Sequence, residues 1–192
     1  ELAALDVTTA LGALLLGVAA FWLTTGGAIL RPGEIGFLAA GDPAQHYVGW
    51  AFFRHTPWSL PPGANPDYGG AMASSIVFTD SIPLLALVCK PWSALLPEPF
   101  QYTGLWVLLC FCLQAWCAAR LLARWTTSST LRLLGAAFFV LAPPFLWRLR
   151  GHFALLGQWL ILAALGLYLS RRPRGGAWCA LLATAALVHF YL

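Results

Sequence analysis

Charge is what most constrains this chain, because it is nearly absent from stretches long enough to cross a bilayer. About twenty consecutive apolar residues, each rising 1.5 Å in a helix, cover roughly 30 Å of hydrocarbon. Val7 to Leu30 and Phe100 to Leu122 meet that length, while Leu131 to Trp147 and Phe153 to Leu169 lie near the short limit. Ala177 to Leu192 is a further apolar run. Charged residues are only 9% of the chain and apolar ones 60%. The sequence therefore predicts an all-α fold, a polytopic transmembrane helical bundle with spans at about 7–30, 100–122, 131–147, 153–169 and 177–192. A long polar insert over about 31–99 separates the first two spans. The chain begins at Glu1 and ends inside an apolar run, so residues 1–192 are expected to form the N-terminal part of one larger transmembrane domain.

The few charges sort by sign. Arg120, Arg124, Arg132, Arg171, Arg172 and Arg174 fall in two short connections. Every acid after Asp6 falls in the insert: Glu34, Asp42, Asp67, Asp80 and Glu98. Lys and Arg are retained on the cytoplasmic side of a membrane protein. This places the arginine connections inside and the insert outside, and makes the chain a polytopic inner-membrane protein whose acid-bearing outer face is the expected working surface. The first run is too long, and followed by no small-residue cleavage pattern, so it reads as an anchor rather than a cleaved signal peptide. Ile82 to Leu96 is apolar but short, holds Lys90 and is interrupted by Pro83 and Pro91. It is expected to be a juxtamembrane or re-entrant helix on the outer side, with a second interfacial helix over Pro43 to His55.

Several function classes drop out. A net charge of +4 divided between two faces makes no nucleic-acid patch. Cys110, Cys112 and Cys117 sit inside an apolar run and read as small hydrophobes, not zinc ligands. Trp50, Trp58, Trp92, Trp125 and Trp147 fall near predicted membrane edges, as interfacial belts do. There is no G-x-x-x-x-G-K-[ST] loop, no G-x-S-x-G elbow and no H-E-x-x-H pair, so nucleotide coupling, serine hydrolysis and zinc proteolysis have no support.

Three strings carry candidate chemistry, each beside a plainer reading. In Gly41-Asp42-Pro43-Ala44-Gln45-His46-Tyr47, Asp before Pro is an ordinary helix start with Asp42 as N-cap. Alternatively Asp42 is a general base at the outer mouth of the bundle, a role worth ~10²- to 10⁴-fold, with His46 one turn on holding the carboxylate or a phosphate. Asp80, in Thr79-Asp80-Ser81-Ile82-Pro83, either caps the following helix or occupies a polar cavity beside an apolar run. Lys90 is either a snorkelling side chain or a phosphate contact. Arg148, Arg150 and His152 are positive groups on the face that the sorting rule depletes, so they contact lipid headgroups or recognise a phosphate through the planar guanidinium fork. His189 either points into the same cavity or is a buried, hydrogen-bonded histidine.

One span, a long outer loop with an early Asp, juxtamembrane helices in that loop and an outer Arg corner together resemble the GT-C glycosyltransferases of bacterial inner membranes. The strings Gly41 to Tyr47, Ser75 to Leu87 and Arg148 to His152 also resemble an uncharacterised family of large bacterial membrane proteins related to that fold. The resemblance implies a bacterial inner membrane with the site on its periplasmic side, and transfer of a sugar from a polyprenyl-phosphate donor to a periplasmic acceptor. It implies that Asp42 is the catalytic base and that Arg148 or Arg150 holds the lipid phosphate. Where many members carry two acids in a row, this chain has Gly41-Asp42. No cofactor is implied, and a divalent metal requirement is left open. Two other readings use the same cavity or face: a lipid-linked saccharide transporter or flippase, and a structural subunit of envelope polysaccharide assembly. The expected partners are the lipid-linked sugar and the bilayer, with the oligomeric state open.

Overall fold

A computed structural model describes residues 5–170 and 174–192, and it is mostly helical. Helix α1 (Val7–Thr25) starts at Asp6, whose carboxylate accepts from the Thr9 N–H at 2.8 Å and the Thr9 hydroxyl at 2.7 Å. These bonds, the hydroxyl first, hold the Asp6 carboxyl below its ordinary range. The helix stops at Gly26, which adopts φ 66° and returns its N–H to the Trp22 carbonyl.

The insert folds as α2 (Asp42–His55), a short antiparallel pairing of β1 (Ala64–Asn65) with β2 (Ser74–Ser75), and α3 (Pro83–Cys89) continued by a 3-10 turn over Lys90–Leu95. The remaining helices are α4 (Thr103–Leu122), α5 (Ser129–Val140), α6 (Pro143–Trp147), α7 (Trp159–Tyr168) and α8 (Gly175–Val188). Helix α4 is the axis of the bundle, packed on α1, α5 and α7 through Val107, Cys110, Phe111, Ala115 and Ala118. Gly17 lets α1 approach it closely: a Cβ there would lie 2.6 Å from the Cys112 Cα and 2.8 Å from the Phe111 carbonyl oxygen. Small residues at such crossings let two backbones touch in an apolar solvent.

The outer faces of this bundle are apolar as well. Leu11, Leu15 and Leu23 on α1, Leu134 and Phe138 on α5 and Ile161 on α7 are all exposed. Among the described residues two helices, Val7–Thr25 and Thr103–Leu122, are long and apolar enough to cross a membrane. The α5–α6 pair makes a third if counted together, although it bends by 40°. The bend falls at Pro143-Pro144, whose rings remove two amide donors and push the preceding residue out of helical geometry. The runs expected at 153–169 and 177–192 contain shorter helices: a 3-10 turn over Phe153–Leu156 and Gly157 takes up the start of the first, and α8 ends at Val188, where His189 turns extended. Arg171 and Arg172, assigned by the charge pattern to the inner face, lie outside the described residues.

The helical run Pro83–Leu95 is below spanning length, at about 20 Å by helical rise. Helix α2 buries His46, Gly49, Trp50, Phe53 and Arg54, a stripe at three- and four-residue spacing. Trp50 is thus a core residue, 1% exposed, and not part of an interfacial belt. Its indole N–H donates to the Phe100 carbonyl at 3.1 Å. The buried Arg54 guanidinium donates to the carbonyls of Ser93, Leu96 and Pro97 at 2.9 to 3.1 Å and pairs with Glu98 at 3.2 Å. Gln101 donates to the Ile29 and Arg31 carbonyls, which ties the end of the insert to the chain leaving α1. These bonds make the insert a packed cap over one end of the bundle.

Candidate functional site

The imidazole of His46 joins the three strings that sequence reasoning singled out. It is 3% exposed, faces the Asp80 carbonyl through Nδ1, and lies 2.8 Å from the Gly151 carbonyl through Nε2. A neutral ring has one N–H to offer and an imidazolium has two. Phe153 packs edge-on against the ring at 5.7 Å, and Phe37 packs on Phe153 in turn. A second set of bonds locks the same junction. Ser81 donates to the His46 carbonyl at 2.7 Å, and the Tyr102 hydroxyl at the start of α4 donates to the Ser81 carbonyl. Gly49 is required beneath it, because a Cβ there would overlap the side chains of Thr79 and Ser81.

This junction sets Asp42 beside the Arg148–His152 corner. A Cβ placed on Gly151 would lie 3.2 Å from the Pro43 ring and 3.9 Å from the Asp42 Cβ. Asp42 is exposed and opens α2 as its first residue, with Gly41 at the N-cap position. The expected N-cap role is therefore not what the structure shows: the Asp42 side chain makes no capping bond. The corner itself is a 3-10 turn over Arg148–Arg150. Arg150 is exposed and stacks over the Trp147 ring at 4.3 Å. Arg148 and His152 are half-buried, and neither side chain has a hydrogen-bond partner among the described residues.

Asp80 and His189 form a second arrangement on the other side of the junction. The Tyr191 N–H donates to His189 Nδ1 at 3.1 Å, so the ring proton sits on Nε2 and is donated to Asp80 Oδ1 at 2.9 Å. That proton orients the carboxylate and leaves its second oxygen for other donors. Asp80 has φ 52°, a left-handed conformation that Asp tolerates better than most residues. The pair lines a cavity of about 280 Å³ whose other walls include Val77, Phe78, Pro83 and Phe190. That volume is just under the ~300 Å³ where pockets for drug-sized ligands begin, so it admits a group of about one ring.

Lys90 is not part of either arrangement. It is buried, donates to the Phe53 carbonyl at 2.7 Å and lies over the Phe53 ring at 3.8 Å and the Trp58 ring at 5.0 Å. Burial lowers its pKa from the ordinary 10.5. Its ammonium is thus committed to the interior of the insert, neither snorkelling nor facing Arg148. Among the described residues, no group of three or more His, Cys, Asp and Glu side chains is placed to hold a metal ion.

Sequence reasoning named Asp80 and His189 separately and missed their pairing, since they stand 109 positions apart. It also passed over Arg54, Ser81 and Tyr102. Arg54 had a usable signal, being a lone arginine on the apolar stripe of a predicted helix.

The fold and site define a helical chain of membrane-protein character, with a folded cap that presents carboxylates, histidines and arginines at one end. Residues 14–192 match the family described as a domain of unknown function (DUF6311), and the chain belongs to that family. No curated protein matches it, and no solved structure does.

Proposed function

We propose that this chain carries the periplasmic site of a multi-pass inner-membrane glycosyltransferase of GT-C type, taking a sugar from a polyprenyl-phosphate donor. The observation that carries the reading is the approach of the exposed Asp42 to Gly151, between Arg150 and His152. Group transfer from a phosphate-linked donor needs a carboxylate to take the acceptor proton and cations to neutralise the departing phosphate. Asp42 supplies the first. Arg148, Arg150 and His152 supply the second, on a turn whose backbone is fixed by His46. In the reaction the acceptor oxygen attacks the anomeric carbon as Asp42 accepts its proton, and the carbon–oxygen bond to the polyprenyl phosphate breaks with its electron pair leaving on the phosphate. Asp80, oriented by His189, lines a separate cavity across the His46 junction and serves there as a contact for a more distant part of the substrate.

The test is Asp42→Asn in membranes supplied with a polyprenyl-phosphate sugar, with donor binding measured in parallel. The expected result is loss of transfer by at least ~10²-fold with donor binding retained. Full transfer by the Asn variant would remove Asp42 from the chemistry.

A further inference from the structure

A further cavity lies in the bundle, away from the cap. It is a groove of about 380 Å³ between α4, α7 and α8, walled by Trp116, Trp159, Leu160, Ala163 and Leu181 and bounded by Arg120 and Arg174. Helix α4 begins at the cap, where Tyr102 bonds Ser81, and Arg120 lies near its other end. About 25 Å of helical rise therefore separates the arginine end of the groove from the cap end of α4, close to the thickness of a bilayer's hydrocarbon.

We propose that this groove is a binding site for a phospholipid with an anionic headgroup, its phosphate between Arg120 and Arg174 and an acyl chain along the apolar walls. The lining contains no acid, so its charge is positive only. Arg120 stacks over Trp116 at 5.2 Å, yet its Nε–H is buried and has no partner among the described residues. The Nε–H is closed to a water molecule, so a phosphate in the groove reaches the guanidinium through its terminal N–H groups, by charge-assisted bonds. The groove extends from the arginines along α7 to Trp159, about 12 Å of helical rise, which suits an extended hydrocarbon segment and not a compact polar ligand. A free phosphate would leave those apolar walls in water. The site thus takes both parts of a lipid, and it stands whether or not the cap transfers sugar.

Trp159 makes the proposal measurable, since it lies at the end of the groove remote from Arg174. The purified protein is placed in phosphatidylcholine nanodiscs containing a fixed fraction of either brominated phosphatidylglycerol or brominated phosphatidylcholine. Bromine on the acyl chain quenches a tryptophan in contact with it, and subtracting the Trp159→Phe signal isolates Trp159. We expect stronger quenching by the glycerol lipid, with a preference of about fivefold for each arginine that contacts the headgroup. Arg174→Gln should reduce the preference, and Arg120→Gln with Arg174→Gln should abolish it. Should Arg120→Gln fail to fold, Arg174→Gln and the groove-filling Ala163→Phe carry the test, the latter losing quenching by both lipids. Equal quenching by the two lipids in the wild type, no quenching of Trp159, or a preference that survives removal of the arginines would each overturn the proposal.

Discussion

Replacing His46 with Leu tests the junction on which the candidate site depends. The substitution keeps most of the buried volume but removes both ring nitrogens, leaving the Asp80 and Gly151 carbonyls without the imidazole between them. A buried carbonyl without a donor costs about 1–3 kcal/mol. The Gly151 contact is fully buried and the Asp80 contact only partly so. Counting one ring N–H, the loss is about 1–3 kcal/mol, or a fall of roughly 2–12 °C in Tm for a chain of this size. Unfolding can be followed with a thiol-reactive dye, because Cys110 and Cys117 are buried on α4 and react as the bundle opens. Hydrogen exchange localises the effect. Peptides covering 76–83 and 148–156 should lose protection well before those from the middle of α4. His152→Leu is the control: its side chain has no partner among the described residues, so its change should stay within ~0.5 kcal/mol. A His46→Leu protein with wild-type Tm and unchanged exchange at both segments would refute the argument that this ring holds the site together.

Gly17→Leu should separate α1 from α4 at a cost of about 3 kcal/mol or more, since its Cβ would meet the Cys112 backbone, which cannot rotate away; a folded variant of unchanged Tm would contradict the packing. Lys90 is expected to make stability rise with pH between its lowered folded value and 10.5, because there the unfolded chain binds the extra proton. Comparing the Tm of wild type and Lys90→Met from pH 8 to 10.5 reads this, and parallel curves would refute it. For topology, a single cysteine at position 42 should react with an impermeant maleimide from the periplasm and one at position 124 should not, in a background free of other cysteines. Labelling at 124 with protection at 42 would reverse the assignment of faces.

The elements were largely legible because their signals are local. Val7 opens α1 as expected, behind the local Asp6 cap, but the helix ends at Thr25 and not at Leu30 because Gly26 turns left-handed inside a run that stays apolar; Pro143-Pro144 break the third apolar run through their own covalent geometry. The lengths of α7 and α8 were less legible, since apolar composition marks what a segment dissolves in, not where its helix starts. The site was legible as residue types and not as geometry. His46, Asp80, Gly151 and His189 are each ordinary in the sequence; 105 residues separate His46 from Gly151, and only the packed cap brings them within bonding distance. Burial decided the cations in the same way. Lys90 read as a snorkelling side chain or a phosphate contact and Arg54 was passed over, yet an aromatic ring or a set of backbone carbonyls drew each inside. Sequence alone thus determined that the chain is helical, apolar and sorted by charge, because those properties are summed over neighbouring residues. Which polar groups meet, and which are consumed in holding the cap together, was decided by the tertiary structure, because hydrogen bonds and ion pairs form only over a few ångströms and the chain path alone sets those distances.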